Sequence, residues 1–149
     1  MATMLKIENL TAHYGAAQAL FGVNLEVEQG QTVSLVGANG AGKSTLLKCL
    51  LGLERPSGGR IMLDGEDVTR SGPAKMVRFG VSLSPEGREV FSHLSVTENL
   101  QLGAIPLKLS RSEEQLRMAE VFDRFPKLHE RRQQQAGTLS GGEQQMLAM

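Results

Sequence analysis

Net charge, disulfide chemistry and long apolar runs are what this sequence lacks. Lys plus Arg and Asp plus Glu both number 16 in 149 residues. A balanced chain has no positive field to draw it onto nucleic acid or anionic lipid, so nucleic acid is not an expected partner. The single cysteine, Cys49, cannot form an internal disulfide. That fits a reducing setting, and the first ten residues show no basic head followed by an unbroken apolar run of the secretory type. The longest apolar stretch, near residues 46–53, is interrupted by Lys48 and is much shorter than the ~20 residues a membrane span requires. Repeats and low-complexity tracts are also missing. What remains, with 40% hydrophobic and 21% charged residues, has the composition of an ordinary globular α/β domain.

Local patterning predicts the elements. Apolar and polar residues roughly alternate over residues 5–14 and 19–27, as in Phe21, Val23, Leu25 and Val27, the period of paired half-buried strands. Gln29-Gly30-Gln31 reads as a turn into residues 32–36, Thr-Val-Ser-Leu-Val, a short β-branched run of the kind buried on both faces of a sheet. Leu46, Leu47, Leu50 and Leu51 then give a helix an apolar face, which Gly52 closes at its C′ position. Pro56-Ser57-Gly58-Gly59 is turn chemistry. Residues 60–63 read as a strand entering an Asp64-Gly65 hairpin turn, and residues 80–84 as a further strand ended by Pro85. From Ser95 the pattern becomes helical: Ser95 with Glu98 and Ser110 with Glu113 match the S-x-x-E capping box. Met118, Phe122 and Phe125 form a helical stripe that Pro126 stops. Two regions are expected, a β-rich core over residues 1–94 and a helical subdomain over residues 95–149.

The strongest local feature is Gly37-Ala38-Asn39-Gly40-Ala41-Gly42-Lys43-Ser44, which fits G-x-x-x-x-G-K-[ST]. A polyphosphate needs converging donors and room to approach. Gly40 and Gly42 let successive backbone N–H groups converge, the following helix offers its positive end, and Lys43 supplies a compact cation to the terminal phosphates. Ser44 is placed to ligate Mg²⁺, and Thr45 follows it into the first helical turn. The plainer alternative is a glycine-rich turn capping an ordinary helix. The strand before the loop and the amphipathic helix after it favour nucleotide binding, with Lys43 and Ser44 carrying the chemistry.

A second feature is Leu139-Ser140-Gly141-Gly142-Glu143-Gln144-Gln145, at a helix entrance. Ser140 with Glu143 is a third capping box, and four residues alone would mean only a well-capped helix. The full run, one helical subdomain after a phosphate loop, resembles the signature of ABC transporter ATPases, and the resemblance covers the whole chain. It implies an α/β fold: a P-loop NTPase core of the ABC ATPase type, with an N-terminal antiparallel β subdomain and an inserted α-helical subdomain. It also implies a head-to-tail dimer in which one subunit's phosphate loop and the other's Ser140, Gly141 and Gly142 close on a shared ATP. Such bridging gives ATP the differential affinity that shifts an open-closed equilibrium.

The resemblance carries further positions. Tyr14, the only tyrosine, falls where these ATPases stack an aromatic on adenine, a contact worth about 1–3 kcal/mol; a strand-surface tyrosine is the alternative. Glu86, in Ser84-Pro85-Glu86-Gly87-Arg88, stands where most of the family carries a glutamine that senses Mg²⁺ and faces the membrane subunit. A carboxylate is also a hard oxygen ligand, so the metal role survives the change. Pro85 to Leu100 and Glu143 are similar to the ATP-binding subunits of branched-chain amino acid importers, and importers of urea and short amides share this wording. The implied partners are a second ATPase subunit, identical or a sister, membrane permease subunits docked near residues 86–94, and indirectly a periplasmic solute-binding protein. The implied place is cytoplasmic, on the inner face of the membrane. A non-transport ABC ATPase acting on ribosomes or DNA is the competing reading. The tandem cassettes, coiled coils and basic extensions typical of those proteins do not occur in the sequence.

Family members continue past the signature into an apolar strand ending in Asp-Glu, where Asp holds Mg²⁺ through water and Glu is the general base, and later reach a histidine that contacts the γ-phosphate. The sequence stops at Met149, and His13, His93 and His129 all precede the signature. The expectations are therefore a fragment that hydrolyses ATP poorly and a buried-type strand at residues 32–36 short of a neighbour.

Overall fold

The computed structural model describes residues 3–85, 87 and 89–149. They form two compact units, Met1–Ser82 and Leu83–Met149.

The first unit is built on a long antiparallel hairpin, β1 (Thr3–Tyr14) and β2 (Ala17–Glu28), joined at Gly15-Ala16. Apolar residues at 5 and 7, then at 10 and 12, cannot all face one side of an unbroken pleat, because side chains alternate strictly. A bulge resolves the conflict: the register slips between Ile7 and Leu10, and Asn9 takes the left-handed conformation at φ 46°. The Asn9 N–H donates to Asn24 Oδ1 at 2.9 Å across the hairpin. Ile7, Leu10 and Ala12 thereby enter one buried cluster with Leu20. Strand β3 (Gly58–Leu63) pairs antiparallel with β1 and must pass this bulge at Gly59, where a Cβ would lie 2.5 Å from the Glu8 and Asn9 carbonyl oxygens. Asp64 and Gly65, both at positive φ, make the two-residue turn into β4 (Glu66–Asp67), completing the order β2-β1-β3-β4.

Helix α1 (Lys43–Leu50) buries Thr45, Leu46 and Cys49. Its inward face therefore differs from the expected one: Leu46 and Leu50 join the core, whereas Leu47 is exposed. Its C-terminus is a complete Schellman closure. Gly52 N–H donates to Cys49 O at 3.1 Å and Leu53 N–H to Lys48 O at 2.9 Å, with Gly52 at φ 68°. A short helix, α2 (Pro73–Arg78), starts on proline and contributes Met76 to the same core.

Two expected strands do not form. Residues 32–36 lie outside any ladder, with Val36 94% exposed, and residues 80–84 belong to no ladder either. A β-branched run has the propensity for a strand, but a strand exists only against a hydrogen-bonded neighbour. Among the described residues no strand lies beside either run.

In the second unit, α3 (Val96–Ala104), α4 (Arg111–Arg124), α5 (Pro126–Glu130) and α6 (Gly141–Ala148) surround Val96, Leu128, Ala136, Leu139 and Leu147. Phe122 and Phe125 of the expected stripe pack against this core. Pro126 does more than stop α4, because it opens α5 at a first-turn position that needs no N–H. The Gln135 backbone bridges to Ser95, and Thr97 N–H and Oγ1 both donate to Arg132 O, at 3.0 and 2.8 Å. The polar residues 131–135 are thus a tied loop.

Candidate functional site

At the entrance to α1 the chain does something it does at none of its other long helices. The N-cap is Gly42, left-handed at φ 91°, with no side-chain cap and no acidic residue in the first turn. Only glycine fits there: a Cβ would stand 2.6 Å from Ala19 O and 2.9 Å from Leu20 Cδ2. By helix geometry the first amides after Gly42 have no intrahelical acceptor, and the macrodipole makes that end positive. Gly40, also at positive φ, has open space where its Cβ would be, so a ligand can reach the backbone there.

Lys43 gathers the loop. Its ammonium donates to Gly37 O at 2.7 Å and to Ala38 O at 2.8 Å, while Ala41 N–H donates to Ala38 O at 3.1 Å. The lysine thus stays over its own loop. Gly37, Asn39, Ala41 and Ser44 are exposed, and Thr45 is buried beneath them. The donor set fits a polyphosphate, and the exposed Ser44 hydroxyl offers Mg²⁺ a hard oxygen.

Tyr14 is the last residue of β1, 46% exposed and paired with Ala17. Because Gly42 packs against Ala19 and Leu20, the tyrosine and the phosphate loop lie at the same end of the hairpin. His13 Nδ1 lies 2.8 Å from Ser57 Oγ, a local packing contact. Glu86 lies outside the described residues.

Ser140 is the N-cap of α6 and closes a full capping box: its N–H donates to Glu143 Oε2 at 2.9 Å, and its Oγ accepts from Glu143 N–H at 3.4 Å. The same geometry recurs at Ser95 with Glu98 and at Ser110 with Glu113. All three carboxyls are held below the usual carboxylate range. For Glu98 the main cause is the Ser95 N–H, and for Glu113 and Glu143 it is the serine side chain, with Arg131 adding a favourable charge at Glu143. Sequence reading placed Ser140, Gly141 and Gly142 at this end but missed Arg131, whose Nη1 lies 3.1 Å from Glu143 Oε2. A basic residue twelve positions before an acid carries no periodic signal, so only the tied loop reveals it.

A glycine-cradled helix end with a lysine folded over it is the construction of P-loop nucleotide-binding proteins. Within that class, the ABC transporter family model matches residues 20–149, and the chain belongs to that family. It is 44% identical over 98% of its length to the high-affinity branched-chain amino acid transport ATP-binding protein BraG of Pseudomonas aeruginosa. It is 38% identical, again over 98%, to the probable branched-chain amino acid transport ATP-binding protein LivF of Archaeoglobus fulgidus. The chain spans 62% and 61% of those two relatives' lengths. A solved ATP-binding subunit of an ABC transporter superposes with a TM-score of 0.83 at 31% identity, covering 97% of this chain and 59% of that one. The fold is accordingly that of an ABC ATPase.

Proposed function

We propose that this chain is the nucleotide-holding part of an ATP-binding subunit that powers import of branched-chain amino acids, through ATP binding and hydrolysis in a head-to-tail dimer. The observation that carries the reading is the α1 entrance, where a left-handed glycine that tolerates no Cβ leaves the first-turn amides uncapped beneath a lysine. The substrate class rests on the names of the two relatives.

In this reading the amides of residues 39–44 bind the phosphate tail and fix its orientation. Lys43 trades its contacts with the Gly37 and Ala38 carbonyls for the terminal phosphates, where a charge-assisted contact is worth about 1.5–3 kcal/mol. Tyr14 stacks on the base. Ser44 and Glu86 would hold Mg²⁺, whose charge would offset that of the phosphates. Ser140, Gly141 and Gly142 meet the γ-phosphate of an ATP held by a second ATPase subunit. There the donors left for an outside anion are led by the Gly141 and Gly142 amides, since Glu143 already accepts from the Ser140 N–H.

Permease subunits and, through them, a periplasmic solute-binding protein complete the transporter. The subunit works from the cytoplasmic side as a peripheral protein. Among the described residues no helix is long and apolar enough to cross a membrane.

The test is an Mg·ATP titration of the folded full-length gene product against its Lys43→Ala variant. A loss of at least about tenfold in affinity is expected from removing the ammonium. Equal affinities would defeat the assignment.

A further inference from the structure

The three capping boxes are alike in sequence and unlike in surroundings. Glu98 and Glu113 are exposed, and among the described residues neither makes an ion pair within 4 Å. Glu143 is buried, its side chain 11% exposed, and its Oε2 takes both the Ser140 N–H at 2.9 Å and Arg131 Nη1 at 3.1 Å. A nearly buried carboxylate is costly unless its charge is compensated, and a guanidinium beside it provides the compensation. Glutamine at this position would close the same box with no need of a cation. The acid therefore makes the start of α6 depend on Arg131.

Arg131 is held at its backbone, with its side chain 40% exposed. It is the C-cap of α5, whose Leu128 is fully buried in the core shared with Leu139 and Leu147. The next residue, Arg132, accepts from Thr97 twice, and Arg131 O accepts from Gln134 N–H at 2.8 Å. One carboxylate oxygen thus joins the tied loop to the Ser140 backbone.

We propose that Arg131 is a positioning residue for the Ser140–Gly142 end of α6: by holding Glu143 it sets the direction of the Ser140 hydroxyl and first-turn amides. In doing so it sets how tightly that end takes the terminal phosphate of an ATP carried by a second copy of this chain. The inference rests on the proposed trans role of Ser140.

The experiment follows ATP-driven self-association of the full-length protein by light scattering, with EDTA present so that no hydrolysis intervenes. Variants are Arg131→Met, Arg131→Lys, Glu143→Gln, the Arg131→Met/Glu143→Gln double and Ser140→Ala, each also titrated with ATP under non-associating dilution. Arg131→Met is expected to weaken association about three- to tenfold while leaving monomer ATP affinity unchanged, and Arg131→Lys to recover part of the loss. In the Glu143→Gln background, Arg131→Met should have little further effect, which assigns the loss to the pair, while unchanged monomer ATP affinity and rescue by Arg131→Lys are what general loss of fold would not produce. If Ser140→Ala weakens association but Arg131→Met does not, or if Arg131→Met acts equally in both backgrounds, the inference is overturned. If Ser140→Ala changes nothing, or the native protein fails to associate with ATP, the trans reading beneath it falls instead.

Discussion

Helix α1 and helix α3 begin in opposite ways. At α3, Ser95 and Glu98 satisfy each other's backbone donors: Ser95 N–H and Oγ both donate to Glu98 Oε2 at 2.7 Å, and Glu98 N–H donates to Ser95 Oγ at 3.2 Å. At α1 no side chain caps, no acid sits in the first turn, and a glycine holds a conformation that other residues resist. The same orphan donors are answered internally in one place and left for an external acceptor in the other. The proposed function places the phosphate tail at the uncapped end, where the first-turn donors have no side chain to answer them. Helix α6 lies between the two, with a box that closes on Glu143 and a pair of glycines whose amides remain.

The comparison can be broken most severely at Gly42. Gly42→Ala places a methyl against the Ala19 carbonyl in a left-handed conformation, a strain of about 1–3 kcal/mol before any clash relaxes. Thermal unfolding should register the loss, and Mg·ATP affinity should fall with it. A variant as stable and as tight as the native protein would show that the glycine is not required. The smaller effect comes from acid. Glu98, Glu113 and Glu143 have folded values lowered below those of the unfolded chain. Their stabilising contribution is therefore present above the unfolded carboxylate range near ~4.3 and is lost as pH falls through the folded values. Helical signal should decline below about pH 4.5, and restoring pH should restore it. A signal flat to far lower pH would contradict the role of the boxes.

Much of this was legible because the signals are local. The hairpin, the Asp64-Gly65 turn, the Schellman glycine Gly52 and all three boxes depend on residues within a few positions of one another. The bulge at Asn9 follows from the change of apolar phase between residues 5 and 7 and residues 10 and 12, visible only as imperfect alternation, and the Asn24 bond that ties it lies on the facing strand. Residues 32–36 misled for a related reason: their composition asks for a sheet, and composition cannot supply the neighbouring strand. At the site, glycine spacing and Lys43 were plain from the motif. The lysine's grip on the Gly37 and Ala38 carbonyls and the Arg131 tether to Glu143 depend on folding and leave no periodic trace.

Amide hydrogen exchange of the full-length protein with and without Mg·ATP measures the contrast directly. Slowed exchange is predicted at residues 39–45, where the helix start has no cap of its own, with no change at residues 96–99, where Ser95 and Glu98 already provide one. Equal protection at both helix starts, or none at residues 39–45, would contradict the account.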